Sequence, residues 1–382
     1  MKKPENKVAI IILNWNGWKD TVECLESIYH INYPDFNVIV VDNNSNDDSV
    51  EKIKEYCKGK IEVKSNFFHY DTSSKPLKIF EYNENELETA QKDEKEISNT
   101  RPNKKIILVK NNENYGFAGG NNTGIKYAAS ILNSNYILLL NNDTVVDRDF
   151  LVELVKTAEN DKKIGFVGAK TYFYDNKRVI QAAGGGKIDL KKVIAVETAL
   201  NQIDEGKYDQ NCELDYITGS CILCKKEMLD KIGMLNANYF MYWEDVDWCF
   251  RGKKSGYKSV YAFKSKIWHK VSVSSTNYLK TYYCTRNRIY FMEQNINNPN
   301  NFKFLPYFFI YIFLPQIISY LLNRDLRGGF NPYLKGFISG LKLHSSPTRT
   351  GKKYNLHDNS IDYNSNQIKN LDWHIKLIFK VK

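Results

Sequence analysis

Four short polar segments carry residue types that suit a phosphorylated ligand. They are Asn14-Trp15-Asn16-Gly17, Asp42-Asn43-Asn44-Ser45, the glycine-rich stretch Asn111 to Gly124, and Asn141-Asn142-Asp143. Glycines let a backbone approach an anion at a helix start, so Asn111 to Gly124 resembles a phosphate-cradling loop. Its spacing is neither GxGxxG nor a P-loop, and a plain turn explains the same glycines. Asp143 ends a very apolar run, where a carboxylate can hold Mg²⁺ or Mn²⁺ against phosphates, since hard cations take oxygen ligands. A helix cap or turn accounts for Asp143 as well, and an ordinary turn accounts for Asp42.

Two later features carry a different chemistry. Trp243-Glu244-Asp245-Val246-Asp247-Trp248 places carboxylates among aromatics. That suits a general base whose pKa is raised by an apolar wall. Acidic residues in a first helical turn also simply satisfy the helix's positive end. His269 follows Trp268 at the end of a strand-like run, either as a metal ligand or as a structural histidine.

The elements that must position these residues alternate. Val8 to Leu13, Phe36 to Val41, Lys105 to Val109 and Tyr136 to Leu140 are continuous apolar runs, which read as strands of a parallel sheet buried on both faces. Helical spacing predicts helices at Trp18 to Ile31, at Asp47 to Tyr56 and near Gly119 to Ile131. Strand alternating with helix is the doubly wound α/β pattern, and such sheets bind ligands beyond the carboxyl ends of their strands. All four polar segments then fall on one sheet edge. Further on, the sequence predicts a helix at Phe150 to Glu159, strands at Ile164 to Ala169 and Lys258 to Phe263, a hairpin around Gly184 to Gly186, and a helix from Tyr278 to about Gln294. Between Glu81 and Arg101 lie seven acidic and three basic residues and few apolar ones, so 64–103 reads as an exposed, partly disordered insertion.

The formal charge of the 382-residue chain is +10, but 302–382 holds 12 basic and 4 acidic residues, so the excess sits at one end. That argues against a nucleic-acid binder, whose charge would be spread over a groove. It points to a tail that meets an anionic lipid surface. Phe304 to Leu322 is uncharged with seven aromatics and two prolines, which favours a helix lying on a membrane over one crossing it. The seven cysteines lack framework spacing, and Cys221-x-x-Cys224 has no second pair to complete a zinc site. The six-residue apolar run Val8 to Leu13 is too short for a signal peptide, so a cytoplasmic location is expected.

In this order and spacing the segments resemble the glycosyltransferase family 2 enzymes, in their rhamnosyltransferase-like branch. The resemblance runs from about Lys7 to Phe291 and rests on Ile11 to Asn16, Val40 to Ser45, Asn114 to Asn122, Leu139 to Asp143, Thr218-Gly219-Ser220 and Phe240 to Asp247. It implies an α/β GT-A fold with a mostly parallel central sheet and helices on both faces. It also implies an inverting, single-addition hexosyltransferase that uses a UDP- or dTDP-linked sugar with Mg²⁺ or Mn²⁺. By resemblance, Asn14, Asn16, Asp42, Asn44, Asn114, Gly116, Phe117, Gly120, Asn121, Asn141 and Asn142 line the donor site. Asp143 and His269 bind the metal, Asp245 is the base with Glu244 beside it, and Thr218, Gly219 and Trp243 face the acceptor. The motif Asn141-Asn142-Asp143 departs from the family's Asp-x-Asp and brings one carboxylate. Several membrane spans and a Gln-x-x-Arg-Trp motif, which mark processive synthases, are absent from the sequence.

The expected organisation is a catalytic domain over 1–301, an apolar and basic helical membrane-associated extension over 302–345, and a basic polar tail over 346–382. The acceptor is expected to be a glycan, lipid-linked through a polyprenyl diphosphate, in cell-surface polysaccharide assembly. The enzyme would then be peripheral or monotopic on the inner face of the cell membrane. The competing reading is a catalytically inactive nucleotide-sugar or glycan-binding protein of the same fold.

Overall fold

The computed structural model describes residues 6–190, 192–270, 277–295 and 308–345. The expected tail at 346–382 and the start of the apolar segment lie outside the described residues. The first half alternates strand and helix: β1 (Val8–Asn14), α1 (Trp18–Tyr29), β2 (Phe36–Asp42), α2 (Ser49–Cys57), β3 (Lys78–Asn83), α3 (Leu87–Lys92), α4 (Glu94–Asn99), β4 (Lys105–Lys110), α5 (Gly116–Ile131), β5 (Tyr136–Asn141), β6 (Thr144–Val146) and α6 (Phe150–Glu159), as the sequence predicts except for β3, α3, α4 and β6. The second half is richer in strands: β7 (Ile164–Phe173), β8 (Val179–Ala183), β9 (Gly185–Asp189), β10 (Ile194–Glu197), β11 (Gln202–Ile203), β12 (Cys212–Leu214), β13 (Tyr216–Ile217) and β14 (Cys221–Lys225). Then come α7 (Lys226–Ile232), α8 (Glu244–Lys254), β15 (Lys258–His269), α9 (Asn277–Asn295), α10 (Leu314–Leu322) and α11 (Phe330–Ser345).

The main sheet runs β11-β8-β7-β14-β5-β1-β2-β4-β3, and β15 pairs in parallel with β7. β5, β1, β2, β4 and β3 are mutually parallel, so the ends of β1, β2, β4 and β5 share one edge. Alternation along each strand feeds two cores. Val8, Ile10 and Ile12 join a layer with Leu25, Ile53 and Leu154 of α1, α2 and α6. Ala9 and Ile11 join the opposite layer with Ile125 of α5 and Trp248 of α8. This gives the expected α/β architecture with helices on both faces.

Three local expectations are corrected. The acidic stretch is folded: β3 is the edge strand of the sheet, and Phe80 and Tyr82 are buried at strand spacing while Ala90 and Ile97 of α3 and α4 pack into the same core. A few apolar residues at the right period outweigh an acidic composition, because burial depends on which face they share. Around Gly184 to Gly186 there are two hairpins rather than one, β7 with β8 before it and β9 with β10 after it. β8 pairs with β7 and β11, whereas β9 pairs with β10 and β13 in a separate three-stranded sheet. Gly184, at φ +80°, lets the chain leave one sheet for the other. Finally, β15 continues six residues beyond Phe263 to His269, pairing there with β6 and β7.

Cys221 and Cys224 point to opposite faces of β14 and join different cores, as ordinary buried cysteines. At the C-terminal end, α11 packs along α9. Gly336 and Gly340 allow the approach, since a Cβ on them would lie 2.5 Å from Tyr282 O and 2.9 Å from Ile289. Phe309–Phe313 forms a wide π turn before α10. Pro315 has no N–H to close the preceding α turn, which accounts for the widening. Among the described residues no helix is long and apolar enough to cross a membrane.

Candidate active site

The four polar segments meet at the edge of the sheet as the parallel strands require. Asp42 is buried and holds the first two together. Its Oδ1 accepts from Asn14 Nδ2 at 2.8 Å and from Ser45 Oγ at 2.6 Å, and its Oδ2 accepts from Ser45 N at 3.0 Å. Asn14 Oδ1 accepts from Thr21 Oγ1 at 2.8 Å, and Asn142 Nδ2 donates to the same hydroxyl at 3.0 Å. Asn16 and Asn44 stand exposed at the rim, both with left-handed backbone, at φ 53° and 61°. Asn43, not singled out in the sequence, is the hub of the third segment. Its Nδ2 donates to Asn114 Oδ1 at 2.8 Å, and its Oδ1 accepts from Tyr115 N at 3.1 Å.

The glycines of the third segment divide in function. Gly116 opens α5 at φ +68°, with Phe240 so close that a Cβ would sit 2.5 Å from its ring. Gly120, assigned above to the donor site, faces inward. A Cβ there would meet Leu13 at 2.5 Å, so this glycine seats α5 on β1. Asn121 is buried too, donating from Nδ2 to Phe117 O at 2.9 Å. Phe117 is only partly buried and lies against Gly219.

Asp143 and His269 come together although 126 residues separate them, because β15 runs on to pair His269 with Thr144. His269 Nε2 lies 3.0 Å from Asp143 Oδ1, and Asn141 Nδ2 lies 3.1 Å from the same nitrogen. On the far side of the ring, His269 Nδ1 lies 2.9 Å from Gln181 Oε1. An amide oxygen can only accept, so Gln181 fixes the ring proton on Nδ1 and leaves the Nε2 lone pair facing the carboxylate. Two lone pairs in that position call for a cation. Donors about 2.1 Å from one cation and at right angles lie about 3.0 Å apart, which is the observed spacing. Among the described residues no group of three or more His, Cys, Asp or Glu forms a closed metal cage. An open site with one carboxylate and one imidazole suits a cation that completes its shell with substrate phosphates and water.

The carboxylates of α8 lie across a turn from this pair. In that turn, Thr218 to Ser220, Ser220 O accepts from Asn141 N at 3.0 Å and Gly219 N donates to Asp245 Oδ2 at 2.9 Å. Asp245 Oδ1 also accepts from Val246 N at 2.8 Å. Glu244 is buried, and its Oε2 has no partner. Burial and the neighbouring Asp245 push the Glu244 carboxyl well above the ordinary range, and burial raises Asp245 as well. Three backbone donors, of Gly219, Val246 and Asp245 itself, favour the ionised form of Asp245, whereas Glu244 has one, its own. Of the two, Glu244 is the one whose proton is held more tightly. Asp247 is structural: it accepts from Arg251 Nε at 2.8 Å and from Asn295 Nδ2 at 2.9 Å.

Three supporting residues escaped the sequence reading. Glu197 of β10 is raised to about 7 by burial and by the charge of Asp245. Gln181 lies on β8 and gives no signal in sequence. Asn287 of α9 is fully buried and donates from Nδ2 to three carbonyls, Tyr239 O at 2.8 Å, Met241 O at 2.8 Å and Tyr242 O at 2.7 Å. Arg286 adds bonds to Asn238 O and Tyr239 O, each at 2.7 Å. The loop they hold is strained, with Phe240, Tyr242 and Trp243 at φ 64°, 66° and 75°. A run of polar residues, Thr285 to Arg288, inside an otherwise aromatic helix was the available signal.

The family described as glycosyltransferase-like family 2 matches residues 4–291. A low-salt glycan biosynthesis hexosyltransferase, Agl10, of Haloferax volcanii is 24% identical over 252 residues, 65% of this chain and 78% of that protein. An N-acetylglucosaminyl-diphospho-decaprenol L-rhamnosyltransferase of Mycobacterium tuberculosis is 37% identical over 54 residues, 14% of this chain and 18% of that protein. Among solved structures, the mannosyltransferase PcManGT of Pyrobaculum calidifontis, in complex with GDP-Man and Mn²⁺, gives a TM-score of 0.49 at 15% identity, covering 91% of this chain and 92% of that one.

Proposed function

The chain belongs to glycosyltransferase-like family 2 and is a glycosyltransferase with a nucleotide-sugar donor; from that premise we propose that it adds single sugars, with inversion, to a hydroxyl of a lipid-linked glycan. The observation that carries this reading is the Thr218 to Ser220 turn, which bonds to Asn141 on one side and to Asp245 on the other. This supports a site in which the diphosphate end, beside Asn141, and the base, Asp245, lie on opposite sides of that turn. Inversion requires that arrangement, because the incoming oxygen and the leaving group occupy opposite faces of the sugar.

Asp245 takes the proton of the acceptor hydroxyl as the new C–O bond forms, and the bond to the diphosphate breaks with its electron pair. Glu244, protonated, keeps a second negative charge away from the base. Asp143 and His269 would hold Mg²⁺ or Mn²⁺, which would neutralise charge on the departing nucleoside diphosphate. The loops of Asn14, Asn16, Asp42, Asn44 and Asn114 form the nucleotide end, for a UDP- or dTDP-linked donor. Trp243 and Thr218 border the acceptor side.

A lipid-linked acceptor is supported by the N-acetylglucosaminyl-diphospho-decaprenol for which the mycobacterial relative is named and by the C-terminal helices. Ile310, Leu314, Ile318, Leu321 and Leu322 recur at helical spacing and are all exposed. This apolar stripe suits a helix lying in a membrane surface, in a protein peripheral to the inner face.

A screen of nucleotide sugars for hydrolysis with Mg²⁺ or Mn²⁺ tests the reading. Asp245→Asn is expected to lose about 10²- to 10⁴-fold in turnover while retaining donor binding. Equal, near-zero turnover in both proteins with donor still bound would favour an inactive binding protein instead.

A further inference from the structure

Beside the catalytic carboxylates lies a cavity of about 270 Å³. Val193 and Ile194 from the start of β10, Trp243, Arg288 of α9, Phe308 and Tyr333 of α11 line it. Trp243 directly precedes Glu244. Cys284, one turn from Arg288 and also in the wall, lies within electrostatic reach of both Glu244 and Asp245. A ligand seated here would therefore end next to the base.

Two polar atoms of this wall lack hydrogen-bond partners. Arg288 Nε is buried without a hydrogen bond, and so is the Tyr333 hydroxyl. Arg288 spends one donor, from Nη2, on Lys192 O, and its guanidinium lies 5.0 Å from the centre of the Phe308 ring. Among the described residues no carboxylate forms an ion pair with it, in contrast to Arg251, which pairs with Asp247. Burial lowers Arg288 to about 10. Arg288 as a whole is half-buried, but its Nε is shut off from water without a partner, and a guanidinium so placed is normally matched by an anion. Arg286, two residues earlier, is committed to the Asn238 and Tyr239 carbonyls, so Arg288 is not needed for the loop.

We propose that this cavity binds the diphosphate of an isoprenoid-diphosphate acceptor, with Arg288 and Tyr333 as its donors. The proposal rests on the transferase reading above and names its acceptor class. Guanidinium and phenol supply charge-assisted bonds to phosphate oxygens. The aromatic and aliphatic walls accept the first carbons of an isoprenoid. Phe308 immediately precedes the exposed Phe309 and Ile310, so the rest of the lipid has an apolar route to the membrane-facing stripe.

The test uses the full-length protein in EDTA, which suppresses metal-dependent binding at the donor site. Farnesyl diphosphate, farnesol and inorganic pyrophosphate are titrated against tryptophan fluorescence, with Trp243 as the reporter. Farnesyl diphosphate is expected to bind at least tenfold tighter than farnesol. Arg288→Gln should weaken it tenfold or more, Tyr333→Phe severalfold, and neither should alter farnesol binding. Arg288→Lys should restore part of the loss. Pyrophosphate binding as tightly as farnesyl diphosphate, and lost in Arg288→Gln, supports the diphosphate site but overturns the lipid part. Absent binding by the wild type, or equal affinity in wild type, Arg288→Gln and Tyr333→Phe, overturns the whole proposal. Tyr333→Phe carries the test if Arg288→Gln does not fold. Donor hydrolysis, measured in parallel without acceptor, separates the two readings. Its loss in the wild type sinks the transferase reading, whereas its retention with unchanged farnesyl diphosphate binding in the variants sinks only the cavity.

Discussion

Replacing Asn287 with Ala tests whether the strained loop before α8 positions the base. The Asn287 amide has two hydrogens and faces three buried carbonyls, of Tyr239, Met241 and Tyr242. At about 1 kcal/mol net per hydrogen bond, plus a desolvation penalty for carbonyls left unpaired, its removal costs roughly 2–4 kcal/mol. Left-handed backbone at Phe240, Tyr242 and Trp243 costs on the order of 1–2 kcal/mol per residue. The two quantities are comparable, so without the amide the loop has reason to relax, and Asp245 at its end moves with it. A shift of ~1 Å in a catalytic group costs about 10²-fold in rate. Asn287→Ala is therefore expected to melt roughly 5–10 °C lower and to lose about 10²-fold in kcat. Donor KM should change less than kcat, because the Asn14 and Asp42 loops make no bond to this loop and α5 meets it only at Phe240, through Ala118 N to Phe240 O at 3.0 Å. The measurement is the kcat against KM split in donor hydrolysis, well below the variant's melting temperature. A lower melting temperature with kcat within threefold of wild type would show a purely structural asparagine and refute the reasoning.

Glu244→Gln mimics the protonated carboxyl and should keep activity within about tenfold, unlike Asp245→Asn, whose loss is set by removal of the base. Equal losses in the two variants, compared by steady-state turnover, would show that the base is misassigned. Glu197→Gln tests linkage. The folded pKa of Glu197 is raised from 4.5 to about 7, so the folded state holds the proton more tightly and wild-type stability falls as pH rises through that window. Relative to wild type, the variant should gain up to ~3 kcal/mol between pH 4.5 and 7 in denaturant melts, with no gain below pH 4.5. Gln181→Leu removes the acceptor that fixes the His269 tautomer and should weaken Mn²⁺ binding about 10- to 100-fold by titration, with the melting temperature little changed. Unaltered Mn²⁺ affinity would remove His269 from the metal site.

The polar edge proposed to take the nucleotide was legible because its residues sit at the ends of consecutive buried strands. An apolar run ending in Asp42 or Asn141 announces both the strand and the edge where its side chain emerges. The pairing of Asp143 with His269 was legible only by resemblance, since it depends on β15 running past Phe263 to meet β6. Composition misled at 64–103, where Phe80 and Tyr82 at strand spacing decided the outcome against seven acids. Glycine counting misled at Gly120, where the missing Cβ serves helix–sheet contact. Gln181 was invisible because it acts through a partner far away in the chain, and a lone amide leaves no periodic trace. Asn287 left only the polar run Thr285 to Arg288 in its helix.

The same distinction changes the meaning of the C-terminal extension. From its composition it is an anchor, a basic and aromatic segment apart from the chemistry. In the fold, α11 presses Gly336 and Gly340 against α9, and Ile289 of α9 shares a cluster with Phe308, Phe313 and Tyr333. Ile289 lies two residues from Asn287, which holds the loop of the base, and one from Arg288, which faces the cavity. Burying the exposed stripe of α10 in a lipid surface would therefore act on the helix that sets both the base and the acceptor side. The loops after β1 and β2 have no such connection, and the segment after β4 meets the base loop only where Phe240 packs on Gly116 and its carbonyl accepts from Ala118 N at 3.0 Å. Membrane contact should thus change kcat and acceptor binding more than donor affinity, because the loops proposed to hold the donor are mostly built on other parts of the fold.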